Sequence, residues 1–206
     1  MTDPNYTDIT VILDRSGSMQ AIKKDMEGGY SQYLTEQRMV PGKCMITVIQ
    51  FDTEYEIVHG AMDIQKAPKL TLTPRGGTAL LDAMGKAITQ TGERLAALPE
   101  DQRPGNVIIQ IITDGQENSS REWKRDQVFS LVTEQTDRYG WIFSYLGANQ
   151  DAIAVARDLG IPVGTTSGYT PQNAGSTFAV SSLATTRKRM GGTYEITEEE
   201  KALLNK

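Results

Sequence analysis

A carboxylate and two hydroxyls stand at alternate positions after the first apolar run of the chain. Asp14 ends that run, and Ser16 and Ser18 follow it. Residues two apart in an extended or turning segment can point the same way, so these three side chains can converge on one point. Carboxylate and hydroxyl oxygens are hard ligands of the kind that Mg²⁺ and Mn²⁺ prefer.

Two further oxygen groups follow other segments. Asp114 comes just after the most apolar run, and Thr78 follows Gly76 and Gly77 in a loop before a helical segment. Mg²⁺ takes six oxygens in a near-octahedral array at about 2.0–2.1 Å. Two carboxylates and three hydroxyls, some acting through water, nearly complete that shell. The remaining position would favour a carboxylate from outside.

Apolar periodicity predicts the elements that must position these groups. Short apolar runs typical of strands cover 9–13, 45–51, 55–62, 107–112, 141–146 and 161–165. Helical spacing covers 22–34, 80–98, 122–138, 149–159 and 170–190. Ser119 or Ser120 is expected to cap the third helix, and Asn149 the fourth.

The order of these elements predicts the fold class. The turn over 52–54 is too short for a parallel return, so it requires an antiparallel hairpin. The remaining alternation of strand and helix predicts a doubly wound, mostly parallel α/β sheet with one antiparallel edge strand and helices on both faces. Residues 1–192 are expected to form a single domain, and 193–206 a short tail with a small helix. Ligands of such folds bind beyond the carboxyl ends of the strands.

Composition excludes several classes of function. The chain has 206 residues, a formal net charge of -5, one cysteine and one histidine, which rules out cysteine-based and histidine-rich zinc sites. Its apolar runs are too short to span a membrane, and its start lacks an apolar signal region, so we expect a cytoplasmic protein. Its acidity argues against sequence-independent nucleic-acid binding.

The five oxygen groups together resemble the metal-ion-dependent adhesion site (MIDAS) of von Willebrand factor type A (VWA) domains. The resemblance covers most of the chain and identifies it as similar to intracellular, bacterial or phage-like stand-alone members with a Rossmann-like VWA fold. It implies metal coordination by Asp14, Ser16, Ser18, Thr78 and Asp114. It also implies bound Mg²⁺, or Mn²⁺, and a partner protein that supplies an Asp or Glu as the last ligand. Such members often work with AAA+ ATPases in assembly machines, and here the ATPase would be a separate chain.

Two classes of function stay open, a protein-binding module and a Mg²⁺-dependent hydrolase of phosphate esters. A hydrolase would use Arg15 for charge stabilisation, but it also needs an activated nucleophile. The chain has no Gly-x-Ser-x-Gly elbow, and its one histidine, His59, lies on the expected edge strand. The chain also lacks the glycine patterns of nucleotide-binding loops. The sequence therefore favours a binding module that is not an enzyme and takes no nucleotide.

Three residues near the predicted ligands are candidates for contact with the partner. Arg15 is expected to face solvent, where it could pair with an incoming carboxylate or stay solvated. Gln116 and Glu117 could shape the partner surface, and ordinary loop polarity explains them equally well. Asp52 is interpreted as a turn residue, and Glu198–Glu200 as a solvated helix face.

Overall fold

Residues 1–148 and 151–205 are described by a computed structural model. Its strands are β1 Asp3–Asp14, β2 Lys43–Phe51, β3 Tyr55–Asp63, β4 Pro104–Thr113, β5 Ile142–Ala148 and β6 Thr166–Tyr169. They form one sheet in the order β3-β2-β1-β4-β5-β6. All neighbouring strands in it are parallel except β2 and β3, which pair antiparallel. The predicted fold class, including the antiparallel edge strand, is confirmed.

Helices cover both faces of this sheet. Their bounds are α1 Lys23–Met39, α2 Leu80–Ala96, α3 Arg125–Tyr139, α4 Ala152–Asp158, α5 Ala174–Arg189 and α6 Glu198–Leu204. Buried residues of α1 and α5 form one core cluster with the sheet, and those of α2, α3 and α4 form another. None of the helices in the described ranges combines the length and the apolarity that crossing a membrane requires.

The alternating side chains of β1 connect the two layers. Ile9, Val11 and Leu13 point into the cluster with α1 and α5, whereas Ile12 points into the cluster with α2. This two-residue period is that of a strand buried on both faces. β1 therefore occupies the centre of the molecule, and Asp14 lies where the strand leaves the core.

The last strand differs from its predicted position. Residues 161–165 form no strand, and β6 begins at Thr166. Proline has no backbone N–H to donate to a ladder, and Pro162 instead accepts hydrogen bonds from the hydroxyls of Thr165 and Thr166. The apolar run was misleading because its backbone forms a turn.

The start of α3 also differs from the prediction. The helix begins at Arg125 with Lys124 as its cap, so neither predicted serine caps it. Ser120 instead accepts a hydrogen bond from the backbone N–H of Asp82 in the first turn of α2. Asn149 lies outside the described residues, and the observed cap of α4 is Asp151.

The predicted helix near the C-terminus is present as α6, and it packs against the domain. Ile196 and Leu204 are buried in the α1 and α5 cluster. Glu200 is buried as well and pairs with Arg187 of α5 at 2.6 Å. The interpretation of Glu198–Glu200 as a solvated face is therefore wrong for Glu200.

Candidate metal centre

The carboxyl ends of β1 and β4 bring the two predicted carboxylates together. These strands are parallel neighbours, and Leu13 pairs with Ile112. The Thr113 hydroxyl donates to Asp14 Oδ2 at 2.6 Å, and the Ser18 hydroxyl donates to Asp114 Oδ1 at 2.7 Å. The order of strands reverses between β1 and β4, which is where open α/β sheets bind their ligands.

The segment after β1 turns sharply because Asp14 caps it. Asp14 Oδ1 accepts the backbone N–H of Ser16 at 2.6 Å, a turn that aspartate side chains favour. A 3-10 turn over Gly17–Ala21 follows. It leaves the hydroxyls of Ser16 and Ser18 3.1 Å apart, so the alternate spacing does place them together.

Thr78 reaches the same point from the loop before α2. Gly76 has a φ of 67°, a backbone conformation that favours glycine. A Cβ atom built on Gly115 would lie 2.9 Å from the Thr78 hydroxyl and 3.8 Å from both Asp14 Oδ2 and Ser16 Oγ. Oxygens from two segments therefore face Gly115 of a third segment, across a space that a side chain at residue 115 would fill.

The two carboxylates of this group are buried, and Asp14 has no cationic partner among the described residues. Asp14 is 0% exposed, and in the part of the chain that the structure describes it has no ion pair. Burial raises the pKa of Asp14 to about 6, and the nearby charge of Asp114 adds to the effect. Burial also raises the pKa of Asp114. A cation would offset both effects, and Ser18, which is exposed, leaves the site open to solvent.

The chemistry of these donors fits a hard divalent cation. All five are oxygens, two of them carboxylates and three of them hydroxyls, as Mg²⁺ or Mn²⁺ would require. Across residues 1–148 and 151–205 there is no group of three or more His, Cys, Asp or Glu side chains that could hold a metal ion. The candidate site is of another kind, because hydroxyls supply most of its donors.

Arg15 does not face solvent as expected. It is 5% exposed, its Nε donates to Asp52 Oδ2 at 2.9 Å, and its Nη1 pairs with Glu56. Its backbone N–H also donates to the carbonyl of Phe51 at 2.7 Å. The guanidinium is thus paired with two carboxylates of the β2–β3 hairpin.

The two other candidates for partner contact have different surroundings. Gln116 is exposed. Glu117 accepts the backbone N–H of Leu81 at 3.0 Å, and it also accepts the backbone N–H groups of Ser119 and Ser120. Its carboxylate therefore ties the loop after β4 to the first turn of α2, where helices favour negative charge.

Asp52 forms the expected turn and also binds two arginines. Its Oδ1 accepts the backbone N–H of Glu54 at 2.6 Å, as expected for a hairpin, and its Oδ2 accepts from both Arg15 and Arg75. Burial alone would raise the pKa of Asp52, but the hydrogen bonds from Arg75, Glu54 and Arg15 outweigh burial and lower it. The only sequence signal for this cluster is the presence of arginines in both ligand-bearing loops.

Comparisons with known proteins give matches at the level of structure. No family model and no curated protein matches the sequence. Among solved structures, proximal thread matrix protein 1 from the mussel byssus has a TM-score of 0.60 and 17% identity. The match covers 87% of this chain and 46% of that one. A further structure of that protein, with a zinc-occupied MIDAS motif, has a TM-score of 0.58 and 17% identity, covering 86% of this chain and 46% of that one.

Two bacterial structures are also similar. The von Willebrand factor type A protein from Catenulispora acidiphila has a TM-score of 0.55 and 15% identity, over 89% of this chain and 42% of that one. The vWF domain of the pili tip protein Mfa5 from Porphyromonas gingivalis has a TM-score of 0.59 and 11% identity, over 96% and 99% of the two chains. The chain spans less than half of the byssus and Catenulispora proteins. At these identities the likeness shows the fold, which is that of VWA domains.

Proposed function

We propose that this chain is a protein-binding module that holds a divalent cation at the carboxyl edge of its sheet. The residues that would hold the ion are Asp14, Ser16, Ser18, Thr78 and Asp114. One observation carries the proposal: Asp14 is wholly buried beside a second carboxylate and has no cationic partner among the described residues. The VWA fold, with a zinc-occupied motif in one similar structure, supports it.

The bound ion, Mg²⁺ or Mn²⁺, would supply a positive centre that accepts a carboxylate from a partner protein. The chain's own residues orient the ligands. The Ser16 backbone and the Thr113 hydroxyl hold the two oxygens of Asp14, and Ser18 holds one oxygen of Asp114. The Asp or Glu of the partner would enter from the solvent side, where Ser18 is exposed.

Binding fits the surroundings of the site better than hydrolysis does. The hydrolase hypothesis needed Arg15 to stabilise charge on a phosphate ester. Arg15 is bound instead by Asp52 and Glu56. We therefore propose a non-enzymatic role in the cytoplasm, in which the module binds an acidic segment of a protein. The module would work as part of an assembly machine, such as one with a separate AAA+ ATPase, and we expect it to bind no nucleotide, membrane or nucleic acid.

Calorimetry tests this function. Protein stripped with EDTA is titrated with Mg²⁺ or Mn²⁺, with and without a short peptide containing one aspartate. We expect one saturable metal site, tighter binding in the presence of the peptide, and no such gain when the aspartate of the peptide is replaced by asparagine. Ser18→Ala should weaken metal binding, whereas Ser130→Ala, which removes an exposed hydroxyl on α3, should not. Equal binding by both variants would contradict the site, and a peptide without effect would contradict the partner chemistry.

A further inference from the structure

We propose that Asp52 is a positioning residue of the metal centre, which acts through Arg15 and Arg75 on the two loops that carry ligands. Because this role concerns the same metal site, it rests on the proposed function. Asp52 would not touch the metal. Its carboxylate would instead set where the loop after β1 and the loop before α2 lie relative to each other.

The carboxylate of Asp52 joins three segments of the chain. The side chain is 1% exposed. Its Oδ2 accepts from Arg15 Nε and from Arg75 Nε, each at 2.9 Å. Its Oδ1 accepts the backbone N–H of Glu54 at 2.6 Å. One buried carboxylate thus holds the β2–β3 turn, the segment after β1 and the segment before α2, through charge-assisted bonds that are stronger than neutral ones.

Backbone hydrogen bonds connect Asp52 and its arginines to the residues that flank the ligands. The N–H of Arg75 donates to the carbonyl of Arg15 at 2.8 Å, and the N–H of Ala79 donates to the carbonyl of Asp52 at 2.8 Å. Arg15 stands between the ligands Asp14 and Ser16, and Ala79 directly follows the ligand Thr78. A shift of Asp52 or its arginines therefore moves ligand positions in both loops.

Loss of the Asp52 charge would leave Arg15 poorly compensated. Nη2 of Arg15 is buried without a hydrogen-bond partner among the described residues. The other carboxylate that binds Arg15 is that of Glu56. This side chain is 56% exposed, so it is a weaker and more screened counter-ion than Asp52. A buried guanidinium without its carboxylate would rearrange toward water. Arg15 lies in the loop that carries Asp14 and Ser16. Its rearrangement would therefore affect the metal site more than the packing of the core.

The chain offers a matched control on the same strand as Asp14. Asp8 is 1% exposed and binds Arg94 through two hydrogen bonds of 2.9 and 2.8 Å. This pair of a buried Asp and a partly exposed Arg lies toward the other end of β1 from the ligands. Replacing Asp8 therefore measures what the loss of such a pair does to folding alone.

The test compares Asp52→Asn with Asp8→Asn in the full chain, by Mg²⁺ titration and by thermal unfolding in EDTA. Both variants should unfold at a lower temperature than wild type. Asp52→Asn should also weaken Mg²⁺ binding by about tenfold or more, the size of effect typical of residues that orient metal ligands. Asp8→Asn should keep the wild-type affinity. If Asp52→Asn does not fold, Arg75→Ala removes one exposed arm of the cluster and should still weaken Mg²⁺ binding severalfold.

The outcomes separate the two proposals. Wild-type protein that binds no metal would overturn the proposed function, and with it this role. Wild-type protein that binds Mg²⁺, together with an Asp52→Asn variant of equal affinity, would overturn only the role of Asp52. Equal losses of affinity in Asp52→Asn and Asp8→Asn would also overturn it, because the effect would then reflect stability.

Discussion

Two buried aspartates on β1 have opposite surroundings. Asp8 is bound by both terminal nitrogens of Arg94. Asp14, on the same strand, accepts hydrogen bonds from uncharged donors, among them the backbone N–H of Ser16 and the hydroxyl of Thr113. A buried carboxylate is costly unless it is paired or binds a metal. One end of the strand is thus neutralised within the chain, whereas the described residues offer no cation at the other end.

The cationic residue beside Asp14 strengthens this contrast. Arg15 is adjacent in sequence, yet its guanidinium binds Asp52 and Glu56. The positive charge of Arg15 could have compensated Asp14, but it is paired with two carboxylates of the β2–β3 hairpin. The difference between the two ends of β1 is the reason for proposing that Asp14 binds an external cation.

Replacing Asp14 should have the largest effect. Asp14→Ala should lower the affinity for Mg²⁺ at least about 100-fold, because it removes a buried ligand oxygen at the centre of the site. The variant should stay folded, since it also removes an uncompensated buried charge. Metal titration by calorimetry and circular dichroism checks both results. A variant with the full Mg²⁺ response would refute the site assignment.

Replacing Arg94, at the other end of the strand, should lower the stability of the protein and leave metal binding unchanged. Arg94→Ala leaves Asp8 buried and unpaired, and should lower the free energy of unfolding by about 3 kcal/mol. Mg²⁺ affinity should not change. Urea unfolding and metal titration of the same preparation give both numbers. A loss of metal affinity here would mean that the two ends of β1 are not independent.

Measuring the free energy of unfolding over a range of pH tests whether the buried charge of Asp14 is costly. In the metal-free protein burial raises the pKa of Asp14 from 3.8 to about 6, so the folded state holds a proton that the unfolded state has released. The stability associated with that proton is present below about pH 4 and is lost as pH rises to about 6. Asp14→Asn in EDTA should therefore be more stable than wild type by about 3 kcal/mol near neutral pH. The difference should vanish near pH 4.

Adding Mg²⁺ serves as the control for that series. A ligand that binds only the folded state stabilises it by about 2.7 kcal/mol at a hundredfold excess over Kd. Wild type should gain this stability and Asp14→Asn should not, so the difference in stability between them should nearly close. An Asn variant less stable than wild type in EDTA at every pH would show that the buried charge carries no cost.

The smallest expected effect lies at the rim of the site. Gln116 is exposed beside the ligand Asp114, and rim contacts of an interface contribute little. Gln116→Ala should weaken binding of an acidic peptide about twofold while Mg²⁺ affinity stays the same. Fluorescence titration with labelled peptide measures this. Unchanged peptide binding would mean that the peptide contacts the metal and not Gln116.

Sequence reasoning predicted the parts of the molecule that depend on local pattern. The alternation of strand-like and helical segments and the short turn at Asp52 sufficed for the sheet with its antiparallel edge. The order of oxygen-bearing residues predicted that Asp14 and Asp114 would come together, because parallel strands end at the same edge. Coordination of a metal by these residues stays a prediction.

What the sequence did not reveal depends on contacts between distant segments. Arg15 appeared exposed because its partners Asp52 and Glu56 are 37 and 41 residues away. Ser120 appeared to cap α3, but it binds the start of α2 instead. The run over 161–165 appeared strand-like, but Pro162 lacks a backbone donor and a turn over Val163–Thr165 follows it. Polar side chains are ambiguous in sequence whenever their partner lies in another loop.

Anomalous diffraction from crystals soaked in MnCl₂ would test the central claim most directly. The account predicts a Mn²⁺ peak enclosed by the oxygens of Asp14, Ser16, Ser18, Thr78 and Asp114, and no peak there in Asp14→Ala. Strong Mn²⁺ peaks elsewhere, with none at this edge of the sheet at saturating concentration, would contradict it.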